Sequence, residues 1–449
     1  MTTDTTTDAP PSAPAHPITR WLEGSSTQVF SAFAILTAFG IYFSMYAFRK
    51  SFAAGEFIGV VTLPFLPALK LKSFYVISQV FGYCLSKFVG IKVISELSAS
   101  KRAMMILGVI GLAELALLLF AITPAPWSAL WLFLNGAPLG MVWGLVFGFL
   151  EGRKLSELLG AGLSASYIIA SGFVKSAGSA VMSGWEVSER WMPAVTGLLF
   201  LLPFALCVFL LQQLPAPSAA DEAARMRRLP MDRAARGDFL RRFAPGLGSL
   251  TLLYFFLTAY RDFRDNFARE LWEALGYGDA PAIFALSELP VAFGVMVALA
   301  LLVLIKDNRK ALLAVHFVML GGVALIGLST LAFQLQWISG VVWMITVGLG
   351  AYLAYVPFGS MLFDRLIATF GICGTAGFMI YVTDAFGYLG SVGVNLYKNF
   401  GPERSWLDFF ISLSLFTAAL CGICFLLSLW YFARRSREAG EARGDLAAG

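Results

Sequence analysis

Residues 216–242 read APSAADEAARMRRLPMDRAARGDFLRR, a polar stretch with seven arginines in an otherwise apolar chain. Long apolar segments lie on both sides of it. A helix needs about 20 apolar residues to cross the hydrocarbon layer of a membrane. The stretch therefore predicts a joint between two halves that are each embedded in a membrane.

Twelve segments meet that requirement, six before the polar stretch and six after it. They are numbered spans 1 to 12 and lie near 28–52, 73–94, 103–123, 127–150, 159–183, 192–213, 245–268, 280–305, 311–333, 338–363, 371–396 and 406–433. The pattern predicts an all-α membrane protein with twelve transmembrane helices. Its predicted parts are a disordered tail over 1–27, a first half over 28–213, a linker over 214–244, a second half over 245–433 and a tail over 434–449.

The composition agrees with this fold and excludes several functions. The chain is 58% hydrophobic and 14% charged, whereas soluble domains are about 25% charged. The net charge of +5 does not indicate a nucleic-acid partner, because most of the cations fall in short loops. Five cysteines lie in apolar spans without the clustering of metal ligands. The polar segments contain no nucleophile–base arrangement and no glycine loop for phosphate, so we expect no metal, no cofactor and no enzymatic activity.

The loop charges predict an orientation in the membrane. The chain has 33 lysines and arginines. Of these, 21 lie on the linker side, in the tails, the linker, or the loops and helix ends of that side. Six lie in the loops of the opposite side, and six lie within or against the spans. Positively charged loops stay in the cytoplasm. We therefore expect both termini and the linker in the cytoplasm, with the chain in the cytoplasmic (inner) membrane.

Two six-helix halves joined by a cytoplasmic linker are the plan of the major facilitator fold, whose halves are pseudo-symmetric repeats. Arg49 lies late in span 1, and Arg261 lies late in span 7, the equivalent helix of the second half. Charges inside spans usually face a cavity or a partner, and guanidinium groups match phosphate and carboxylate oxygens with paired hydrogen bonds. The two arginines predict a divalent anion site in a central cavity. The alternative is that neighbouring Asp262 and Asp265 neutralise the arginines of span 7.

Four more charges lie on spans that adjoin between the halves of this fold. Lys87 is in span 2 and Asp384 is in span 11. Lys175 is in span 5 and Glu288 is in span 8. Each lysine–carboxylate pair is a predicted gate that forms in one state and breaks in the other. The alternative is that the lysines are neutral and simply buried.

Five segments resemble the organophosphate:phosphate antiporters, a branch of the major facilitator superfamily. They are YAFRKSF at 46–52, GYCLSKF at 82–88, FLNGAPLGMVW at 133–143, AYRDFRDNF at 259–267 and SELPVAFG at 287–294. They lie in the family's order on spans 1, 2, 4, 7 and 8, and the resemblance runs from about residue 30 to about residue 310. It implies transport of a phosphorylated solute in exchange for phosphate.

The resemblance also implies roles for single residues. It places a phosphate between Arg49 and Arg261 and a substrate-side lysine at Lys87. It pairs Lys50 of span 1 with Glu288 of span 8 across the two halves.

The chain departs from that family at two positions. The family's span-5 histidine falls on Ala170, and its span-7 acid falls on Asn266 rather than Asp265. Lys175, one to two turns further along span 5, is a candidate replacement for the histidine. The cationic pair remains, but the departures imply an anion different from the family's established substrates.

The sequence thus predicts an alternating-access transporter of a small anionic, phosphorylated solute that works as a monomer in contact with membrane lipid. The expected substrate-binding residues are Arg49, Arg261, Lys87, Tyr42 and Tyr46. The expected gating or coupling residues are Lys50, Lys175, Arg264, Glu288 and Asp384. Two other functions stay open. One is a proton-coupled carrier of an organic acid, with Glu56, Asp384 or Glu288 as the titrating group, and the other is a transporter-like membrane sensor of a phosphorylated metabolite.

Overall fold

A computed structural model gives the fold of residues 16–62, 67–97, 99–151, 153, 155–217, 221, 233–278, 280, 282–370 and 376–448. These residues are almost entirely helical. Apart from loops, the other structure in them is a short antiparallel pairing of Val60–Val61 with Leu69–Lys70.

The helices of the first half are α1 Pro17–Glu23, α2 Thr27–Lys50, α3 Leu71–Glu96, α4 Ala99–Ile122, α5 Ala129–Leu139, α6 Val142–Leu150, α7 Ser156–Trp185 and α8 Met192–Gln212. A 3-10 turn, Ser51–Ala54, follows α2. The helices of the second half are α9 Arg233–Asn266, α10 Ala268–Ala274, α11 Ile283–Val303, α12 Asn308–Gln334, α13 Gly340–Pro357, α14 Phe363–Phe370, α15 Ala376–Phe400 and α16 Trp406–Ala448.

Ten helical segments of the described chain are long and apolar enough to cross a membrane, and they correspond to ten of the twelve predicted spans. The other two predicted spans are α3 and α15, with 26 and 25 residues. Both are long enough to cross a membrane, but their described residues are less apolar because they carry charges such as Lys87 and Asp384. The architecture is the predicted all-α membrane fold.

Spans 4 and 10, which correspond between the halves, are both interrupted next to a proline. Span 4 is split between α5 and α6, just after Pro138. In span 10, α13 ends at Pro357 and a π-helical turn, Phe358–Leu362, leads into α14. Proline removes a backbone donor and clashes with the preceding turn, which accounts for both interruptions.

The halves meet along two helix pairs, α3 with α15 and α7 with α11, as predicted for spans 2 and 11 and spans 5 and 8. At the second pair the backbones touch, since a Cβ atom on Gly172 would lie 2.0 Å from the carbonyl oxygen of Phe284. Glycine allows membrane helices to approach this closely. We call the end of the bundle that holds residues 51–62 and 267–278 the distal face, and the opposite end, which holds α1 and the start of α9, the proximal face.

The predicted boundaries of the tails and linker differ from the structure. In the predicted disordered tail, residues 1–15 lie outside the described residues, but the rest includes α1, whose Leu22 is buried. Within the predicted linker, residues 218–220 and 222–232 lie outside the described residues, and α9 already begins at Arg233. The last helix continues to Ala448 through the predicted C-terminal tail. Hydropathy marks where a chain enters the membrane, whereas backbone hydrogen bonds can extend a helix beyond that point.

Candidate functional site

The last turn of α2 brings two cations into the interior of the bundle. Arg49 and Lys50 are 2% and 1% exposed. Two amides hold this turn: Nδ2 of Asn135 donates to the carbonyl of Phe48 at 2.9 Å, and Nε2 of Gln79 donates to the carbonyl of Arg49 at 2.9 Å. Carbonyls at the end of a helix have no partner within it. The amides therefore fix the turn from which both cations project.

The Arg49 guanidinium lies against aromatic rings. Its Cζ is 3.6 Å from the ring centroid of Tyr83 and 5.5 Å from that of Tyr388. Its Nη2 is 3.9 Å from Oδ1 of Asp262. Its Nε and Nη2 have no hydrogen-bond partner among the described residues. Because buried donors without partners are costly, this guanidinium can gain free energy by binding an anion or water.

Arg261 of α9 approaches the same place from the second half. Its Cζ is 4.2 Å from the ring centroid of Tyr355 and 5.9 Å from that of Tyr388. Its Nη2 donates to the hydroxyl of Tyr388 at 3.1 Å and is 4.0 Å from Oδ1 of Asp262. The structure thus brings the two predicted arginines together, next to a shared tyrosine and a shared carboxylate.

A cavity between the halves adjoins this pair. It is lined by four of the five predicted substrate residues, Tyr42, Tyr46, Lys87 and Arg261, whereas Arg49 lies outside the lining, against Tyr83. The rest of the lining is Tyr83, Trp143, Tyr167, Tyr254, Tyr355, Gly359, Ile380, Asp384 and Tyr388. The cavity has a volume of about 30 Å³, which leaves room for only a few water molecules. A solute much larger than water fits only when this cavity is wider than in the present structure.

The predicted pair of Lys87 and Asp384 is present at the wall of this cavity. Nζ of Lys87 is 2.8 Å from Oδ2 of Asp384. The other carboxylate oxygen accepts a hydrogen bond from the hydroxyl of Tyr254. The pair joins α3 of the first half to α15 of the second, as a gate between the halves requires.

The predicted pairing of Lys50 with Glu288 is wrong for this structure. Nζ of Lys50 is 2.7 Å from Oδ2 of Asp265 and 3.2 Å from Oδ1 of Asp262, and it donates to Oδ1 of Asn266 at 2.6 Å. Asp262 and Asp265 are three residues apart and so share one face of α9. That face meets the end of α2 and supplies the carboxylates that Lys50 needs.

Lys175 likewise pairs with Asp265 and not with Glu288. Its Nζ is 2.7 Å from Oδ1 of Asp265, which also accepts a hydrogen bond from Ser171. Glu288 instead accepts from Nη1 of Arg264 at 2.8 Å. Because Arg264 of α9 and Glu288 of α11 both belong to the second half, this contact stays within that half.

The cluster as a whole has more cations than carboxylates in the described residues. Its cations are Arg49, Lys50, Lys87, Lys175, Arg261 and Arg264, and its carboxylates are Asp262, Asp265, Glu288 and Asp384. Each lysine and Arg264 has a carboxylate within 3.2 Å, whereas the other two arginines only reach Asp262 at 3.9 and 4.0 Å. The formal excess of two positive charges is therefore located at Arg49 and Arg261. Charge interactions are strong in such a poorly solvated place, so the arrangement suits a divalent anion.

Sequence reasoning missed most of the aromatic lining. Tyr83 and Trp143 lie within two of the quoted motifs, GYCLSKF and FLNGAPLGMVW, and Tyr83 is one turn before Lys87. That spacing was a usable signal. Tyr254, Tyr355 and Tyr388 gave none, because a tyrosine in an apolar span is equally consistent with helix packing.

The solved structures with a similar fold include membrane transporters. A D-xylose–proton symporter has a TM-score of 0.56 and 14% identity, with 90% of this chain and 97% of that chain covered. A bacterial homologue of the human drug peptide transporters PepT1 and PepT2 has a TM-score of 0.56 and 13% identity, with 90% and 99% covered. The nucleoside transporter NupG has a TM-score of 0.56 and 13% identity, with 88% and 98% covered. At these identities the likeness shows the major facilitator fold alone.

Comparison with curated protein sequences gives no match. The sequence profile of one family matches residues 51–435, which is most of the chain; Arg49 and Lys50 lie just before the matched range. The chain belongs to this family, DUF5690, a family of unknown function.

Proposed function

We propose that this protein is a secondary transporter of a small anionic, phosphorylated solute and that it works by alternating access in exchange for phosphate. The observation that carries the proposal is the pair Arg49 and Arg261, one from each half, which share Tyr388 and Asp262 beside the central cavity. A phosphate between two guanidinium groups receives paired, charge-assisted hydrogen bonds. It also supplies the negative charge that the cluster lacks.

Contacts at the distal face support a transport cycle in which the halves separate and close. Lys72 of the first half is 2.7 Å from a carboxylate oxygen of Glu270, and Arg269 of the second half contacts Glu56. Together with Lys50 and Asp265 they hold the distal face closed. An anion that neutralises the facing arginines makes closure easier for the loaded carrier than for the empty one. Such a difference is the physical origin of exchange.

We further propose that the chain lies in a cytoplasmic membrane with both termini inside and functions as a monomer. The distal face would then open to the outside. The 21 cations of the linker side against six on the opposite side support this orientation.

Uptake into proteoliposomes tests the function directly. Vesicles loaded with phosphate are expected to take up radiolabelled phosphate and organic phosphates, and empty vesicles are not. A variant in which both arginines are replaced by glutamine is the control for leak. If anions bind to the protein but none of them is exchanged across the membrane, the transporter proposal is rejected. Binding without flux would then favour the membrane sensor.

A proton-coupled carrier of an organic acid is the second candidate, and Asp384 is the observation that favours it. This carboxylate lines the cavity and contacts both Lys87 and Tyr254. A carboxylate at that place can exchange a proton with bound water when the lysine moves away. Uptake that collapses with the proton gradient, and that needs no internal phosphate, would establish this function in place of exchange.

A further inference from the structure

A second, larger cavity opens on the side of the second half, away from the central cavity. It lies between α9, α15 and α16, and its volume for the centre of a water molecule is about 450 Å³. Its walls are mostly apolar, with Phe255, Val394, Phe409 and Phe416 among them. A Cβ on Gly393 would meet nothing within 4 Å, so the floor of the cavity is open. We call this cavity the distal groove.

The distal groove continues toward the proximal face. A neighbouring opening along α9 and α15 has a volume of about 690 Å³ and shares Phe255 and Phe256 with the groove. Its remaining walls include Leu252 and Phe386, which are 47% and 44% exposed. The two openings form one apolar furrow along helices that span a membrane. A furrow of this shape matches an extended acyl chain.

A cation reaches into this apolar furrow. Arg404, in the loop before α16, donates from Nη1 to Oγ of Ser412 at 3.0 Å. Ser412 is six residues past Trp406, the first residue of the helix, which is roughly 9 Å along its axis. Long cationic side chains at helix ends usually extend toward water, whereas Arg404 extends toward the membrane interior. No carboxylate of the described residues forms an ion pair with it.

Further cations surround the same end of the groove. Lys398 donates to the carbonyl of Arg404 at 2.9 Å, and its Nζ is 4.6 Å from the ring centroid of Trp406. Nζ of Lys70 is 5.6 Å from the same centroid. Glu403 is the carboxylate beside Lys398, while nearby Asp408 accepts a hydrogen bond from Ser405 at the start of α16. Tryptophan and cations at one level are typical of the membrane–water interface, and here the cations outnumber the acids.

We propose that an anionic phospholipid of the distal leaflet occupies the distal groove. One acyl chain lies over Gly393, between α9 and α16, and the lipid phosphate binds Arg404 and Lys398. A guanidinium binds phosphate with paired, charge-assisted hydrogen bonds, and a lipid phosphate lies in the headgroup layer just outside the acyl chains. One bound lipid molecule accounts for the apolar furrow, for the direction of Arg404 and for the excess of cations over carboxylates at this end of the groove.

Lipid binding by the purified full-length protein tests the proposal. Native mass spectrometry of delipidated protein in detergent, titrated with phosphatidylglycerol or phosphatidylcholine, gives the stoichiometry and affinity of each. We expect one tightly bound phosphatidylglycerol per chain and weaker binding of phosphatidylcholine. Arg404→Gln should weaken phosphatidylglycerol about fivefold, the effect of one cation near a lipid surface. Arg190→Gln, on the distal face of the other half, is the charge-matched control and should change nothing.

A second variant tests the groove without touching its charges. Gly393→Leu fills space that no other atom uses, so it should fold normally and lose the bound lipid. Equal affinities for the two lipids, or an unchanged affinity in both groove variants, would overturn the proposal. So would a lipid-free dimer in which a second copy of the chain covers the groove.

Discussion

Arg49 and Arg261 both lie next to one tyrosine ring, with guanidinium carbons 5.5 and 5.9 Å from the centroid of Tyr388. They come from equivalent helices of the two halves. Asp262 is the carboxylate that both approach, at 3.9 and 4.0 Å, and it is also contacted by Lys50. One carboxylate is thus shared among three cations. This imbalance is the physical reason to expect an anionic ligand between the halves.

Replacing Arg49 by lysine keeps the charge but removes the planar fork of donors. We expect the affinity for phosphate and organic phosphates to fall by about 10- to 100-fold, since a hydrogen bond to a charged group contributes roughly 1.5–3 kcal/mol. Isothermal titration calorimetry of the purified variant measures this. Arg153→Lys is the control, because Arg153 donates to the carbonyls of Phe149 and Pro215 away from the cavity. An unchanged affinity in Arg49→Lys would reject the anion site.

Lys50 and Asp265 are expected to be energetically coupled. A double-mutant cycle with Lys50→Gln and Asp265→Asn should give a coupling of about 0.5–3 kcal/mol in unfolding free energy, because the two groups are in direct contact. The matched cycle with Lys50→Gln and Glu288→Gln should be additive, since Glu288 binds Arg264 instead. Thermal unfolding in detergent provides both measurements. Coupling to Glu288 and not to Asp265 would contradict the structure.

Lys87 and Asp384 should tolerate joint removal better than single removal. Removing one partner of a buried ion pair lowers the free energy of unfolding by about 3–5 kcal/mol, because the other charge stays buried and unpaired. Lys87→Met and Asp384→Leu should therefore each lower the unfolding temperature. The double variant leaves no unpaired charge and should recover most of the loss. If the double variant were less stable than either single variant, the two residues would not be partners.

Gly172 should be required for the two halves to close against each other. A methyl group at this position would lie 2.0 Å from the carbonyl oxygen of Phe284, so Gly172→Ala forces α7 and α11 apart. Distances between spin labels on the two halves at the distal face should lengthen in this variant. Gly184→Ala on the same helix is the matched control, because its methyl group would meet nothing within 4 Å. Identical distance distributions in the two variants would show that the contact does not control closure.

Much of the site could be predicted from residue type and position. A charge within an apolar span is conspicuous, which is why Arg49, Arg261, Lys87 and Asp384 were identifiable, together with the pairing of the last two. The partner of Lys50 was not. The positions of the spans left three possible partners for Lys50, namely Glu288, Asp262 and Asp265. The resemblance to the antiporters favoured Glu288. Which carboxylate binds depends on the rotation of α9 about its axis, and a count of spans does not define that rotation.

The sequence by itself determined the membrane fold, its two halves and the ionic character of its interior, because apolar length and charge inside a span are local properties of the chain. Only the tertiary structure decided which cations share a carboxylate and which tyrosines form the cavity wall. It also decided that the cavity is as small as about 30 Å³. Those features depend on helix rotation and on approaches of a few ångströms between residues far apart in sequence. They are set by packing between the halves, and no single segment carries that information.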